Sequence, residues 1–468
     1  MNHTKSILSP TFREALFILL IVFGIMSGSI IFLEAPPHLP IISACILLIL
    51  YGFLKKVPFK KLEQGMIKGA QSGLGAVFLF FMIGILLSSW MVSGTIPTLM
   101  YTGFELAAFP YFYAIVFSIC AIVGVGIGSA FTTASTVGLA FIGIADSIDG
   151  SLAITAGAII SGAFFGDKMS PLSDTTNLAS GVVKVDLFEH IKNMMWTTVP
   201  AFMISFILFA VLSPDLSGQD MSVINTLQTS LIEANLVHWM SFIPMFILAV
   251  LAIKKVHALL TLGVSSFIAC VLGLVQQKLG IAEMFNILFA GYVSSTGNQA
   301  IDSLLSRGGL NSMMFTVSLV ILALGLGGLL FTLGIIQSIL AGIKNWLSTQ
   351  KSTILTSVSC AMGINLFIGE QYLSILLTGE AFAESYEKQG IARKHLSRVL
   401  EDAGTVVNPL VPWSVCGVFL TSVLGVSAFS YLPFTFFCLL CPLLTILYAV
   451  SGLAVSKKQK AIRKSVEA

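Results

Sequence analysis

The residues best suited to chemistry lie in one run, Gly166-Asp167-Lys168-Met169-Ser170-Pro171-Leu172-Ser173-Asp174-Thr175-Thr176-Asn177. An apolar stretch, 153–165, leads straight into two carboxylates, an ammonium, a proline and a cluster of hydroxyls. Proline removes a backbone donor and clashes with the turn before it, so the helix is expected to unwind between Gly166 and Pro171. The freed carbonyls, with Asp167, Asp174, Ser173 and Thr175, make an oxygen set that suits a hard cation such as Na⁺, with Asp167 and Asp174 as its charged ligands. The half-helix starting near Ser173 turns its positive dipole end toward an anion. Two plainer alternatives stand beside this one: a loop at a membrane edge, and an Asp167–Lys168 pair that merely neutralises itself.

A counterpart lies further on, in Glu401-Asp402-Ala403-Gly404-Thr405-Val406-Val407-Asn408-Pro409-Leu410-Val411-Pro412-Trp413-Ser414. Its two prolines force a second break, with Asn408 and Ser414 in reach of it and Glu401 and Asp402 expected at a cytoplasmic mouth. Two more interruptions supply ligands. Thr132, Thr133, Ser135 and Thr136 follow Gly128, while Asn365, Glu370 and Gln371 surround Gly369. Glu370 is a candidate for reversible protonation, and the Thr and Ser hydroxyls could equally bond back to helix carbonyls.

These residues must be positioned by helices in lipid. Of the 468 residues, 56% are hydrophobic and 10% charged, against roughly 25% charged in a soluble domain. With a mean hydropathy of +0.95, the chain is expected to be an all-α integral membrane protein. Ten candidate spans are read at 15–33, 39–54, 73–93, 150–182, 195–212, 238–253, 257–275, 313–340, 397–420 and 430–453. The stretches 110–146 and 353–378, each interrupted midway, are read as re-entrant hairpins. Lysines and arginines gather at 55–68, 184–192, 254–255, 344–351, 388–398 and 457–464, while 34–38, 94–109 and 213–237 have none. By the positive-inside rule this puts both termini in the cytoplasm. The first span is too long for a cleavable signal and is expected to be retained.

Five spans before residue 238 and five after it run in opposite senses. Weak echoes at an offset near 241 pair Gly128 with Gly369, Pro171 with Pro412, Ser173 with Ser414 and Asp167 with Asn408. The expectation is two inverted five-helix repeats, 1–237 and 238–468, each with a hairpin and a broken helix, the build of many secondary transporters.

Other classes are disfavoured. The net charge of +3 offers no basic face for nucleic acid, and the seven cysteines lie in apolar stretches as packing residues. No HExxH pattern or phosphate-binding GxxxxGK[ST] loop occurs, so neither a zinc site nor direct use of ATP is expected. No nucleophile–base set suggests an enzyme, and polar groups confined to midplane argue against a passive channel.

The run 166–176 closely resembles the signature of the NhaC-type Na⁺/H⁺ antiporter family, and Asn408-Pro409-Leu410-Val411-Pro412-Trp413-Ser414 is similar too. So is Gly297-Asn298 with Ile301-Asp302-Ser303-Leu304-Leu305-Ser306-Arg307-Gly308-Gly309. The resemblance spans essentially the whole chain. It implies a bacterial plasma-membrane exchanger using Na⁺ and H⁺, with no cofactor, in which hairpin tips and broken helices meet at the substrate. The family also includes malate–lactate antiporters, so exchange of small carboxylates is the alternative. The expected partners are Na⁺ and H⁺, malate and lactate in that alternative, the bilayer, and a second copy of the chain in a homodimer. The ion-binding core then comprises Asp167, Ser173, Asp174, Thr175, Thr132, Thr133, Asn365, Glu370, Asn408 and Ser414.

Overall fold

The structure, a computed structural model, describes residues 6–33, 35–107, 111–147, 150–214, 228–229, 231–254, 256–294, 302, 305–306, 308–343 and 347–453. Gly297, Asn298, Ile301, Ser303, Leu304 and Arg307, most of the 213–237 connection and the basic C-terminal residues lie outside that set.

Every element among the described residues is helical. Phe12–Ile30, Leu152–Met169, Leu187–Leu212, Leu259–Gln276, Leu310–Thr332 and Gln350–Ile368 are each long and apolar enough to cross a bilayer. Three bent pairs raise the number to nine: Val77–Val92 with Thr95–Thr102, Arg393–Leu410 with Val415–Leu424, and Ala428–Phe434 with Phe436–Ser451. The expected spans at 39–54 and 238–253 are shorter helices here, His38–Leu54 and Trp239–Leu251. Phe17, Trp196, Phe267, Val275 and Leu443 are exposed on the outer surface, as residues facing lipid acyl chains should be.

One segment differs from its reading. The lysine-rich stretch between the expected spans 39–54 and 73–93 is not a plain connection: Phe59–Ser72 is a helix packed on Met314–Thr332. It is amphipathic, with Leu62 buried and Lys60, Lys61 and Lys68 turned outward. Its approach is backbone to backbone. A Cβ on Gly69 would lie 2.1 Å from the Leu324 carbonyl, and one on Gly328 would lie 2.2 Å from that of Gly65. Small residues allow such contact where larger ones forbid it.

The two interrupted stretches are helical hairpins. Phe112–Ile127 ends at Gly128 and a return helix begins at Ala130. Gln350–Ile368 ends at Gly369 and Gln371–Lys388 returns. The arms of the second are cross-tied, Ser374 donating to the Ala361 carbonyl and Tyr386 bonding to Ser357. In the first, the Phe112 and Phe141 rings meet across the arms.

Three pairs of backbone features recur at nearly one spacing. Gly94 and Gly334 both have left-handed φ, +71° and +72°, just after the helices Leu74–Val92 and Met314–Thr332. Gly128 and Gly369, at +71° and +75°, turn the two hairpins. Ser173 and Ser414 cap the half-helices Asp174–Val183 and Val415–Leu424. Each half-helix packs on the return arm of the other hairpin.

Candidate functional site

The first break is shorter than the sequence implied. Gly166 stays helical because its Cα side is pressed on Gly124, where a Cβ would come within 2.4 Å of the Gly124 Cα. The helix instead stops at Met169. Ser170 is extended, ψ 127°, because a following proline disfavours the helical region for the residue before it. Val411, before Pro412, is extended at ψ 112° for the same reason.

Asp167 occupies the last turn before the first break and is nearly buried. Its Oδ2 accepts from Thr175 Oγ1 at 3.1 Å, and Thr175 Oγ1 lies 2.9 Å from Ser173 Oγ. Ser173 Oγ also accepts from the Thr176 N–H, capping the half-helix. From the first hairpin tip, the Ala130 N–H points at the Asp167 carboxylate. The tip fits closely on the break, since a Cβ on Gly128 would fall 2.7 Å from Leu172 Cβ and 2.9 Å from Ser170 Oγ. Asp167, Ser173 and Thr175 are thus brought together as expected.

The other hydroxyls of the first tip serve the backbone. Thr133 donates to the Ser129 carbonyl, and Ser135 and Thr136 donate to that of Thr132. Thr132 Oγ1 bonds to Ser129 Oγ at 3.1 Å, beside the break. Asp174 is not bonded into the Asp167 cluster, although it acts electrostatically on Asp167 and Tyr372. It is exposed at the first position of its half-helix and faces His257 electrostatically. Helix geometry explains this: successive helical side chains point about 100° apart, so Asp174 at N1 is turned away from its neighbour Thr175, which takes the inward direction.

The second tip and break form a tighter joint. The Gly369 carbonyl accepts from the Val415 N–H at 2.8 Å. Asn365 Nδ2 donates to the carbonyls of Ala403 and Gly404, while its Oδ1 accepts from Asn408 Nδ2 at 2.9 Å. Asn408 Oδ1 accepts from the Cys416 N–H, and Ser414 Oγ donates to the Asn408 carbonyl while capping Gly417. Each oxygen and nitrogen of this amide pair has a hydrogen-bond partner. Glu370 curls back to cap its own helix, accepting from the Leu373 N–H at 2.6 Å. Tyr372 and Cys416 lie within electrostatic reach of both Glu370 and Asp167, so tip and break of each half converge on one region.

Glu401 and Asp402 correct the sequence reading. They do not lie at a mouth; both are fully buried within a π-helical segment, Leu400–Thr405. Asp402 forms an ion pair with Lys168, which crosses from the first broken helix to the second. Thr197 Oγ1 donates to Asp402 Oδ1 at 3.2 Å, and Thr445 donates to its other oxygen. Lys168 therefore pairs across the molecule rather than with adjacent Asp167. No local pattern could reveal this, because 233 intervening residues separate the partners. The usable signal was only that two acids stood in an apolar segment heading into a proline break.

Comparison with known proteins gives a consistent result. The family model described as the Na⁺/H⁺ antiporter family matches residues 162–453. A protein of Alkalihalophilus pseudofirmus named Na(+)/H(+) antiporter NhaC is 39% identical over 450 residues, covering 96% of this chain and 97% of that protein. A Bacillus subtilis protein of the same name is 37% identical, with coverages of 93% and 97%. A second Bacillus subtilis protein, named Malate-2H(+)/Na(+)-lactate antiporter, is 32% identical, covering 96% of each chain.

Proposed function

The chain belongs to the Na⁺/H⁺ antiporter family, and from that premise we propose that it is a multi-pass secondary antiporter of the bacterial plasma membrane, exchanging Na⁺ for H⁺ at Asp167. The observation that carries this reading is a nearly buried carboxylate held at a helix break by two hydroxyls. Such a group binds either a proton or, with neighbouring oxygens, a hard cation, and the two compete. An antiporter needs that competition: Na⁺ enters on one side only after the proton has left, and the proton returns on the other. The two halves, 1–237 and 238–468, act in this reading as inverted repeats with both termini cytoplasmic. The recurrent glycine and serine pairs and the loop charges support it.

Exchange of small carboxylates is the second reading, favoured by the malate–lactate relative. The site's own donors argue against it. The helix starts at Ala130, Asp174, Gln371 and Val415 are each capped by their own Ser129, Ser173, Glu370 or Ser414. Lys168, the cation next to Asp167, is committed to Asp402. An anion would therefore meet capped helix starts, a lysine already paired, and the carboxylates of Asp167 and Glu370. In sealed proteoliposomes free of ATP, Na⁺ alone should drive proton flux, and neither malate nor lactate should change it. A flux that appears only with one of those acids would replace the first reading with the second.

A further inference from the structure

Glu401 is unlike the other buried acids. Asp167 has Thr175, Glu370 has a backbone N–H, and Asp402 has Lys168 and two threonines. Glu401 is 0% exposed, yet neither of its carboxyl oxygens has a well-formed hydrogen bond; the Thr405 hydroxyl is near enough to act on it but is not aligned to it. A charged carboxylate without donors is costly in a protein interior, whereas a protonated one loses far less. The segment that holds it is π-helical, a local widening that recurs at functional sites.

Its surroundings form a polar file. At the surface Lys394 pairs with Glu189 at 3.0 Å. One turn inward, His190 Nδ1 lies 2.8 Å from Ser397 Oγ, and its Nε2 has no partner. Glu401 is one further turn along, and the Lys168–Asp402 pair and Asp167 act on it electrostatically. On its own element Arg398 stacks over the Tyr448 ring of Phe436–Ser451, which also carries Cys441. The return arm of the second hairpin contributes Tyr386 near Arg398, and the first arm contributes Cys360. Asp174–Val183 adds only Asp174, at its start.

We propose that Glu401 is a second proton-carrying site, separate from the cation site at Asp167 and reached through His190 and Ser397. This rests on the Na⁺/H⁺ reading above. Glu401 would give up its proton when Na⁺ occupies Asp167, and regain it when Na⁺ leaves, with Lys168–Asp402 the fixed charge pair between them. Each turnover then moves one more proton than Asp167 alone could.

The test measures proton and radioactive Na⁺ fluxes in proteoliposomes, with their ratio taken from the reversal point under opposed gradients. If wild-type protein shows no Na⁺-driven proton flux, the Na⁺/H⁺ exchange reading itself fails before any variant is considered. With wild-type flux in hand, Glu401→Gln should keep Na⁺ flux, lower the proton-to-sodium ratio by about one and flatten the pH dependence of Na⁺ uptake. An unchanged ratio and pH profile would overturn the proposal. So would loss of Na⁺ binding matching that of Asp167→Asn, because Glu401 would then belong to the cation site itself. Should the Gln protein fail to reach the membrane, Glu401→Met preserves volume without charge and is read by the same outcomes.

Discussion

At the first helix break a carboxylate, Asp167, stands where the second break has an amide, Asn408, and each precedes its capping serine by six residues. Asp167 accepts from the Thr175 hydroxyl, and Asn408 accepts from the backbone N–H of Cys416, the residue at the matching place. The decisive difference is on the hairpin. Asn365 fills the space beside Asn408 and bonds to it, whereas the residue 241 positions earlier is Gly124, which brings only backbone against Gly166. One break thus leaves a carboxylate with capacity to spare, and the other closes into a satisfied amide joint. Similar backbone turns hold a carboxylate with an open arm on one side and a fixed joint on the other.

The largest expected effect is at Asp167. Asp167→Asn keeps size and removes the charge, so Na⁺-driven exchange should fall about a hundredfold, equivalent to about 3 kcal/mol of lost ion stabilisation. Membrane insertion, checked by detergent-solubilised yield and monodispersity, should be normal. Exchange at the wild-type rate would remove Asp167 from the ion site.

Next is the ion pair that ties the two breaks together. Lys168→Met or Asp402→Asn alone strands a buried group, and each should destabilise the protein by about 3–5 kcal/mol, seen as a lowered thermal midpoint in detergent. The double variant should recover much of that loss. Equal losses in the single and double variants would mean the pair is not coupled.

Asn408→Asp asks whether charge alone converts the second break into the first. The new oxygen would face Asn365 Oδ1, and Asn365 cannot turn without losing its bonds to Ala403 and Gly404. A stability loss of about 1–3 kcal/mol is expected, with no added Na⁺ bound per chain in an equilibrium binding assay. Extra Na⁺ binding would show the joint to be more adaptable than its hydrogen bonds suggest.

The hairpin glycines give a finer contrast. Both have left-handed φ, where a Cβ costs about 1–2 kcal/mol. At Gly128 the Cβ would also press to 2.7 Å on Leu172, against 3.1 Å on Ser414 at Gly369. Gly128→Ala should therefore slow exchange more than Gly369→Ala. The smallest effect is expected from Asp174→Asn. That side chain is exposed at the rim, and initial-rate measurements should find exchange reduced less than about tenfold, within the range of a single weak charge interaction.

Composition and hydropathy decided that this chain is helical and lives in a bilayer, because a surface in lipid needs no charge. Proline positions located both helix breaks, since a proline restricts the residue before it whatever the tertiary context. The glycines at 128 and 369 marked the hairpin turns, and the run 166–176 carried the family resemblance. Other features were not local. The helix Phe59–Ser72 was hidden by its lysines, because only its packing on Met314–Thr332 reveals which face is buried. Asp174 read as the twin of Asp167 until the direction of the half-helix turned it to the rim. Lys168 had an acid as its neighbour in sequence, yet its partner is Asp402 on the opposite broken helix. Glu401 reads as a charge at a cytoplasmic mouth, and only three-dimensional packing buries it. Backbone chemistry acts over a few residues and can be read along the chain. The fate of a charge depends on what approaches from elsewhere, and the fold alone decides that.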